Sequence, residues 1–259
     1  MQSFYVRNVS EALYLGKQAL ESSGREVETR NGLALEFTSP VLTTYTHSRE
    51  RVLFYPQRDA NPYFHLMESF WMLAGRNDVE HFHGAYGFRW REWFGKDQLN
   101  VAKFRLSTYP NDRRVVVGMW DPWEDLVTSN DGKDYPCNTQ IMFWERDEDL
   151  HMTVCNRSND MIWGAYGANA VHMSVLQEYM AGMLGYGIGN YYQFSNNLHA
   201  YVDVLKKLDG MVADYEPYLT IADDGLSYTP PALISCADTF DEELKAWFVD
   251  ENLTNFVNE

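Results

Sequence analysis

Cysteine is scarce in this chain: there are three, Cys137, Cys155 and Cys236. They are odd in number and irregularly spaced, which excludes a disulfide framework or a Cys/His zinc pattern and fits a reducing, cytoplasmic setting. Positive charge is scarce too. Lysine and arginine number 21 against 37 aspartates and glutamates, a net charge of -16. That excludes a nucleic-acid binder, because gripping a phosphate backbone needs a basic face. A few arginines can still build a local pocket for one small phosphate. No apolar run is long enough to span a membrane, and Met1-Gln2-Ser3-Phe4-Tyr5-Val6-Arg7 lacks the features of a signal peptide. Internal repeats, low-complexity linkers and a second domain boundary are missing, so residues 1–259 are expected to form one domain.

Apolar residues are plentiful, at 45%, and 8 Trp and 17 Tyr point to large clefts or a large interface. Helices are expected over 8–21 after a Ser10 cap, from Asn61-Pro62 to Gly75, over 171–184 before Gly185, and over 241–248. Strands are expected over 33–45, 115–120, 141–144, 150–154 and 189–194, with 25–31 and the acidic stretch 121–135 as loops. The mixture reads as α+β or α/β.

The stretch Asp134-Tyr135-Pro136-Cys137-Asn138-Thr139-Gln140 and the later Asn156-Arg157-Ser158-Asn159-Asp160 flank a strand–turn–strand pattern. A hairpin brings Cys137 and Arg157 to one end of a sheet. A thiol attacks only as thiolate and needs a positive neighbour to ionise at neutral pH, so Cys137 reads as a nucleophile and Arg157 as its cation. The bland alternative is that Cys137 is a small buried hydrophobe. Taken singly, Glu68 beside Trp71 reads as a flanking carboxylate and Arg113-Arg114 as a solvated strand end. Arg30-Asn31-Gly32 reads as a turn or an anion loop, and Tyr86-Gly87-Phe88-Arg89-Trp90-Arg91-Glu92-Trp93 as core or a stacking platform.

Taken in order, these pieces resemble thymidylate synthase and the pyrimidine nucleotide hydroxymethylases, from about Arg30 to Tyr201. The resemblance implies a large mixed sheet covered by helices, with one sheet face forming a homodimer interface and active sites shared between subunits. It implies Cys137 as the nucleophile on carbon 6, and Glu68 working through ordered water. Tyr86 would stand where the carbon 5 proton leaves. Arg30, Arg157, Ser158 and the partner's Arg113 and Arg114 would hold the 5′-phosphate, and His199 and Tyr201 a sugar hydroxyl. Asp160, with Trp71, would hold methylenetetrahydrofolate, the implied co-substrate. The substrate would be a pyrimidine nucleoside 5′-monophosphate. Counting back from His199 puts the base-reading asparagine at Asn169, and counting forward from Gly164 puts that slot at Ala168; the downstream count matches without a gap, so Asn169 is the choice. An amide can face uracil or cytosine by turning over.

The chain departs from ordinary thymidylate synthase in four places. Asn138 stands where the family has His. Ser158-Asn159-Asp160 is the form associated with hydroxymethylases. The segment before Tyr86 is short, and Thr254-Asn255-Phe256-Val257-Asn258-Glu259 is unlike the apolar closing tail. The last two loosen the cofactor side and admit water, so hydroxymethylation of dUMP or dCMP is expected ahead of methylation. A papain-like hydrolase pairing His199 with Cys137 would leave the arginines unexplained. A non-catalytic nucleotide-binding homologue is the alternative of another class.

Overall fold

A computed structural model of the protein describes residues 1–76, 85–126, 135–213, 230–234 and 237–249. Cys236, the short segment 77–84, most of the acidic loop and the tail 250–259 lie outside the described residues. A six-stranded mixed sheet runs β1 (Gln2–Val6), β4 (Val41–Tyr45), β9 (Gly187–Ser195), β7 (Asp149–Asn156), β6 (Asn138–Arg146), β5 (Val116–Gly118) in spatial order. A four-stranded sheet runs β2 (Arg25–Thr29), β3 (Gly32–Glu36), β10 (Leu198–Tyr201), β8 (Asn159–Asp160). The large mixed sheet with helices bears out the α+β expectation.

The helix α5 (Asn169–Leu184) is buried almost all round, from Ala170 to Ala181, and ends at Gly185 in the left-handed conformation. It lies on one face of the large sheet and against α2 (Pro62–Leu73). Gln177 anchors it, its amide donating to Leu150 O and Gly189 O at 3.0 and 2.9 Å on neighbouring strands. The other sheet face carries a half-buried row that includes Met142, Trp144, Thr153 and Tyr192. Strands β6, β7 and β9 therefore alternate between a core side and a half-open side.

Helix α2 starts where expected. Asn61 accepts the Tyr63 and Phe64 N–H groups at 3.1 Å each, and Pro62 needs no such partner. Helix α1 (Val9–Ser23) is capped by Asn8, not Ser10, because the Asn8 side chain accepts from Glu11 N–H while Ser10 turns inward and is buried. The expected strand 33–45 is two strands in two sheets, broken at Ser39-Pro40, where the proline has no N–H for a ladder. The expected loop 25–31 is mostly β2, an exposed strand paired with β3. Short helices complete the described fold: α3 (Ala85–Phe88) running on as a π turn over Arg89–Trp93, α4 (Gln98–Thr108), α6 (Val202–Leu205) and α7 (Ala237–Val249).

Candidate active site

Strand pairing gathers the site at one end of the two sheets. Asn138 pairs with Asn156 and Asn156 with Ser195, so β6, β7 and β9 share that end. Arg157 N–H donates to Cys137 O at 2.9 Å across the hairpin mouth. Its guanidinium donates to Pro136 O at 3.0 Å and Tyr135 O at 3.3 Å, and lies 5.3 Å from the Trp120 ring. Arg157 is thus tied to the carbonyls that precede Cys137, with the rest of its exposed fork open to an anion.

Tyr86 reaches the same place from α3. Its hydroxyl oxygen accepts the N–H of Cys137 at 3.2 Å and of Asn138 at 3.5 Å. Gly87 allows this approach: a Cβ there would lie 2.1 Å from Met72 O, inside the α2 backbone. Trp90 is buried, and Arg91 donates to Asp97 and to the Tyr179 hydroxyl.

Beyond Arg157 and Ser158 the chain enters β8, where Asn159 and Asp160 pair with Leu198 and His199 of β10. Asp160 caps the kinked helical segment Met161–Ala168, its Oδ1 accepting from Ile162 and Trp163 N–H at 2.9 and 2.6 Å. Its Oδ2 is buried and has no hydrogen-bond partner among the described residues. Burial raises the Asp160 pKa, against the pull of the two N–H bonds and of His199. His199 is moved down, chiefly by burial. Asn197 donates to Glu36 at 2.9 Å, so its oxygen is the atom that meets His199 Nδ1 at 2.8 Å. That fixes the proton on Nδ1 and leaves Nε2 as an acceptor. The four-stranded sheet also brings in Arg30, in the turn before β3: Asn31 donates to the Tyr201 hydroxyl at 3.2 Å.

Glu68 on α2 and Asn169 at the start of α5 meet this end from the helical side. Glu68 Oε2 lies 2.8 Å from His172 Nε2, one turn beyond Asn169. Burial works to raise the Glu68 pKa, but the His172 contact and the two neighbouring imidazoles outweigh it, so Glu68 sits below the usual range. It is ionised at neutral pH and acts as an acceptor. His172 and His65, whose rings meet edge to face at 6.3 Å, were not legible in the sequence. A histidine in an apolar helix looks like core, and only the α2–α5 packing puts these two beside a carboxylate.

Three expected site residues stand elsewhere. Trp71 is 2% exposed within the core, so its ring has no face to offer a cofactor; the expected folate contact is corrected. Arg113 and Arg114 lie outside the gathered end of this chain. They precede β5, whose Val116 pairs with Met142, four residues along β6 from Asn138.

His65 carries a stability prediction. It is buried, and desolvation first, then His172 and Arg58, lowers its pKa to about 4. An unfolded histidine protonates near 6.5, so between the two values the unfolded chain binds more protons and stability falls as pH falls. The loss over that window is about 3 kcal/mol, at about 1.4 kcal/mol per pH unit. Urea melts from pH 7 to 4 are expected to show this slope, and His65→Gln to flatten it.

Residues 30–225 match the family model described as thymidylate synthase. A deoxyuridylate hydroxymethyltransferase of Pseudomonas phage M6 is 49% identical over 226 residues, 80% of this chain and 64% of that protein. One of Bacillus phage SP01 is 33% identical over 205 residues, 69% of this chain and 53% of that protein. The chain thus spans between half and two thirds of the length of these phage relatives. A putative thymidylate synthase of Methanosarcina mazei is 29% identical over 197 residues, 75% of this chain and 87% of that protein.

Proposed function

The chain belongs to the thymidylate synthase family, and on that premise we propose that it transfers a one-carbon unit to carbon 5 of dUMP as hydroxymethyl. The observation that carries the proposal is the joining of Cys137, Tyr86 and Arg157 by backbone hydrogen bonds at one sheet end, with Asp160 and Asn169 on the elements that follow. The choice of hydroxymethyl draws on the 49% identity to a deoxyuridylate hydroxymethyltransferase and on Ser158-Asn159-Asp160. The choice of uracil draws on that same name and on an amide at position 169.

Carbon 5 of a pyrimidine is a poor nucleophile. Addition of the Cys137 thiolate to carbon 6 makes it an enolate carbon able to attack. The family uses methylenetetrahydrofolate, which would supply the electrophilic carbon. Asp160 fits that group: its buried Oδ2 lacks a partner among the described residues, and a pterin offers N–H donors. Tyr86 takes the carbon 5 proton, and the Cys137 and Asn138 N–H groups aimed at its oxygen favour charge there. Glu68, ionised and beside His172, orders water toward the exocyclic carbon. With tetrahydrofolate as the leaving group, water adding to that carbon would give hydroxymethyl, and departure of the Cys137 thiolate from carbon 6 would restore the ring. Arg157 and Arg30 hold the phosphate, with Ser158 beside them. His199 Nε2 accepts from a sugar hydroxyl and Tyr201 stands next to it, the rings 5.6 Å apart. A second copy of the chain covers the half-buried sheet face and lends Arg113 and Arg114.

The test is incubation with methylenetetrahydrofolate and, separately, dUMP, dCMP, UMP and CMP, with products identified by mass. Hydroxymethylated dUMP without dihydrofolate is expected. Methylated product with equimolar dihydrofolate would instead support the second reading, reductive methylation, which the Methanosarcina relative favours.

A further inference from the structure

Asn159 begins β8 and is 1% exposed. Its Oδ1 accepts from Asn169 Nδ2 at 3.2 Å, and its Nδ2 donates to Ser195 Oγ at 3.4 Å. Its own backbone is fixed, since Asn159 N–H donates to Asn197 O at 2.8 Å. Gly164 makes room for the two amides: a Cβ there would lie 2.5 Å from Asn159 Oδ1 and 3.0 Å from Asn169 Nδ2. The chemistry described so far uses the Asn169 amide but not its bond to Asn159.

Two side-chain amides bond only when the oxygen of one faces an N–H of the other. Turning one alone sets oxygen against oxygen, or N–H against N–H. Asn169 therefore turns over only if Asn159 turns with it or the bond is lost. The two pyrimidine edges demand opposite orientations. Uracil presents an N3–H donor and an O4 acceptor; cytosine presents an N3 acceptor and an N4 amine donor. An amide held one way serves one of them and sets like against like on the other.

We propose that Asn159 is a specificity-determining residue that holds the Asn169 amide in the orientation suited to uracil. The inference rests on reading Asn169 as the residue that meets the base. Asn159 acts through Asn169 and does not itself touch substrate. Ser195 completes the relay by holding the far side of the Asn159 amide.

The test measures binding of dUMP and of dCMP by calorimetry, so it needs no turnover. Wild type is compared with Asn159→Ala, Asn159→Asp, Ser195→Ala and Asn169→Asp, each checked for folding by circular dichroism. In Asn159→Ala the preference for dUMP over dCMP is expected to fall about tenfold, mainly by tighter dCMP binding, as one hydrogen bond's worth of orientation is lost. Asn159→Asp keeps an oxygen facing the Asn169 N–H, and the preference should stay within about threefold of wild type. Ser195→Ala moves the ratio in the direction of Asn159→Ala by a smaller factor, and serves if Asn159→Ala does not fold. A general packing defect would weaken both nucleotides together and leave the ratio alone. If the ratio is unmoved in Asn159→Ala and Ser195→Ala while Asn169→Asp shifts it toward dCMP, the relay is wrong and the base reader stands. An equal shift in Asn159→Ala and Asn159→Asp also overturns the relay. If Asn169→Asp leaves the ratio unchanged, the base-reader assignment falls, and the relay with it.

Discussion

Turnover is expected to fall by about ten-thousandfold or more in Cys137→Ser, while nucleotide affinity stays within about a factor of three. The reaction has no other route to a nucleophilic carbon 5, so losing the thiolate removes the step and not merely its speed-up. A serine hydroxyl ionises far too poorly at neutral pH to take its place. Binding survives because the groups assigned to the nucleotide sit on other elements: Arg157 after β7, Asn169 on α5, His199 and Tyr201 on β10. The fold should survive as well. Two of the bonds that tie residue 137 to its neighbours are backbone bonds, its N–H to the Tyr86 hydroxyl and its carbonyl from Arg157 N–H, and serine keeps both. Trapping gives a second readout: 5-fluoro-dUMP with methylenetetrahydrofolate should form a covalent complex with the wild type and none with Cys137→Ser. Equal loss of binding and turnover would make Cys137 a structural residue.

The sequence disclosed this arrangement unevenly, for physical reasons. Helices α2 and α5 were legible because apolar spacing and end signals agree: Asn61-Pro62 at one start, Gly185 at one end. The break at Pro40 and the strand β2 were not. Strand β2 is solvent-facing on most of its residues, so it carries no apolar alternation, and its pairing with β3 is decided by backbone bonds that leave no mark on composition. The site divides in the same way. The meeting of Cys137 and Arg157 followed from a hairpin pattern alone, and the hairpin is there, Asn138 opposite Asn156. The further expected residues needed a resemblance to pick them out, because single polar residues are ambiguous without a fold. His172, His65 and Asn159 act on neighbours distant in sequence, across helix–helix or strand–helix contacts. Trp71 erred in the opposite sense: it lies three residues past Glu68 on one helix, so it shares a general direction with the carboxylate, yet the core takes its ring.

Activity should reappear when Cys137→Ser and Arg114→Ala, each inactive alone, are mixed and allowed to exchange subunits. The expectation starts from the shape of the arginine loop. Asp112 binds Arg105 and also accepts from Arg114 Nε at 3.1 Å, and these arginines hold its carboxyl well below the usual carboxylate range. The carboxylate therefore stays charged and keeps the loop shaped, and the Arg114 side chain, though it meets Asp112 through Nε and Nη2, is 77% exposed. A lone chain has no use for that exposure, while a second copy seated on the half-buried face of β6, β7 and β9 brings a foreign phosphate within reach of a cation pair. In the proposed dimer each site takes Cys137 and Arg157 from one subunit and Arg113 and Arg114 from the other. In a mixed dimer one site receives both defects and the other receives neither. Random exchange of equal amounts makes about half the dimers mixed, each with one good site of two, so about a quarter of wild-type activity should return. The Arg114→Ala parent should lose affinity mainly for the phosphate-bearing nucleotide and little for its nucleoside, since a cation facing the phosphate is what it lacks. If proven subunit exchange leaves the mixture as inactive as its parents, or if the wild-type protein sediments as an active monomer, the arginines do not serve a neighbour's site.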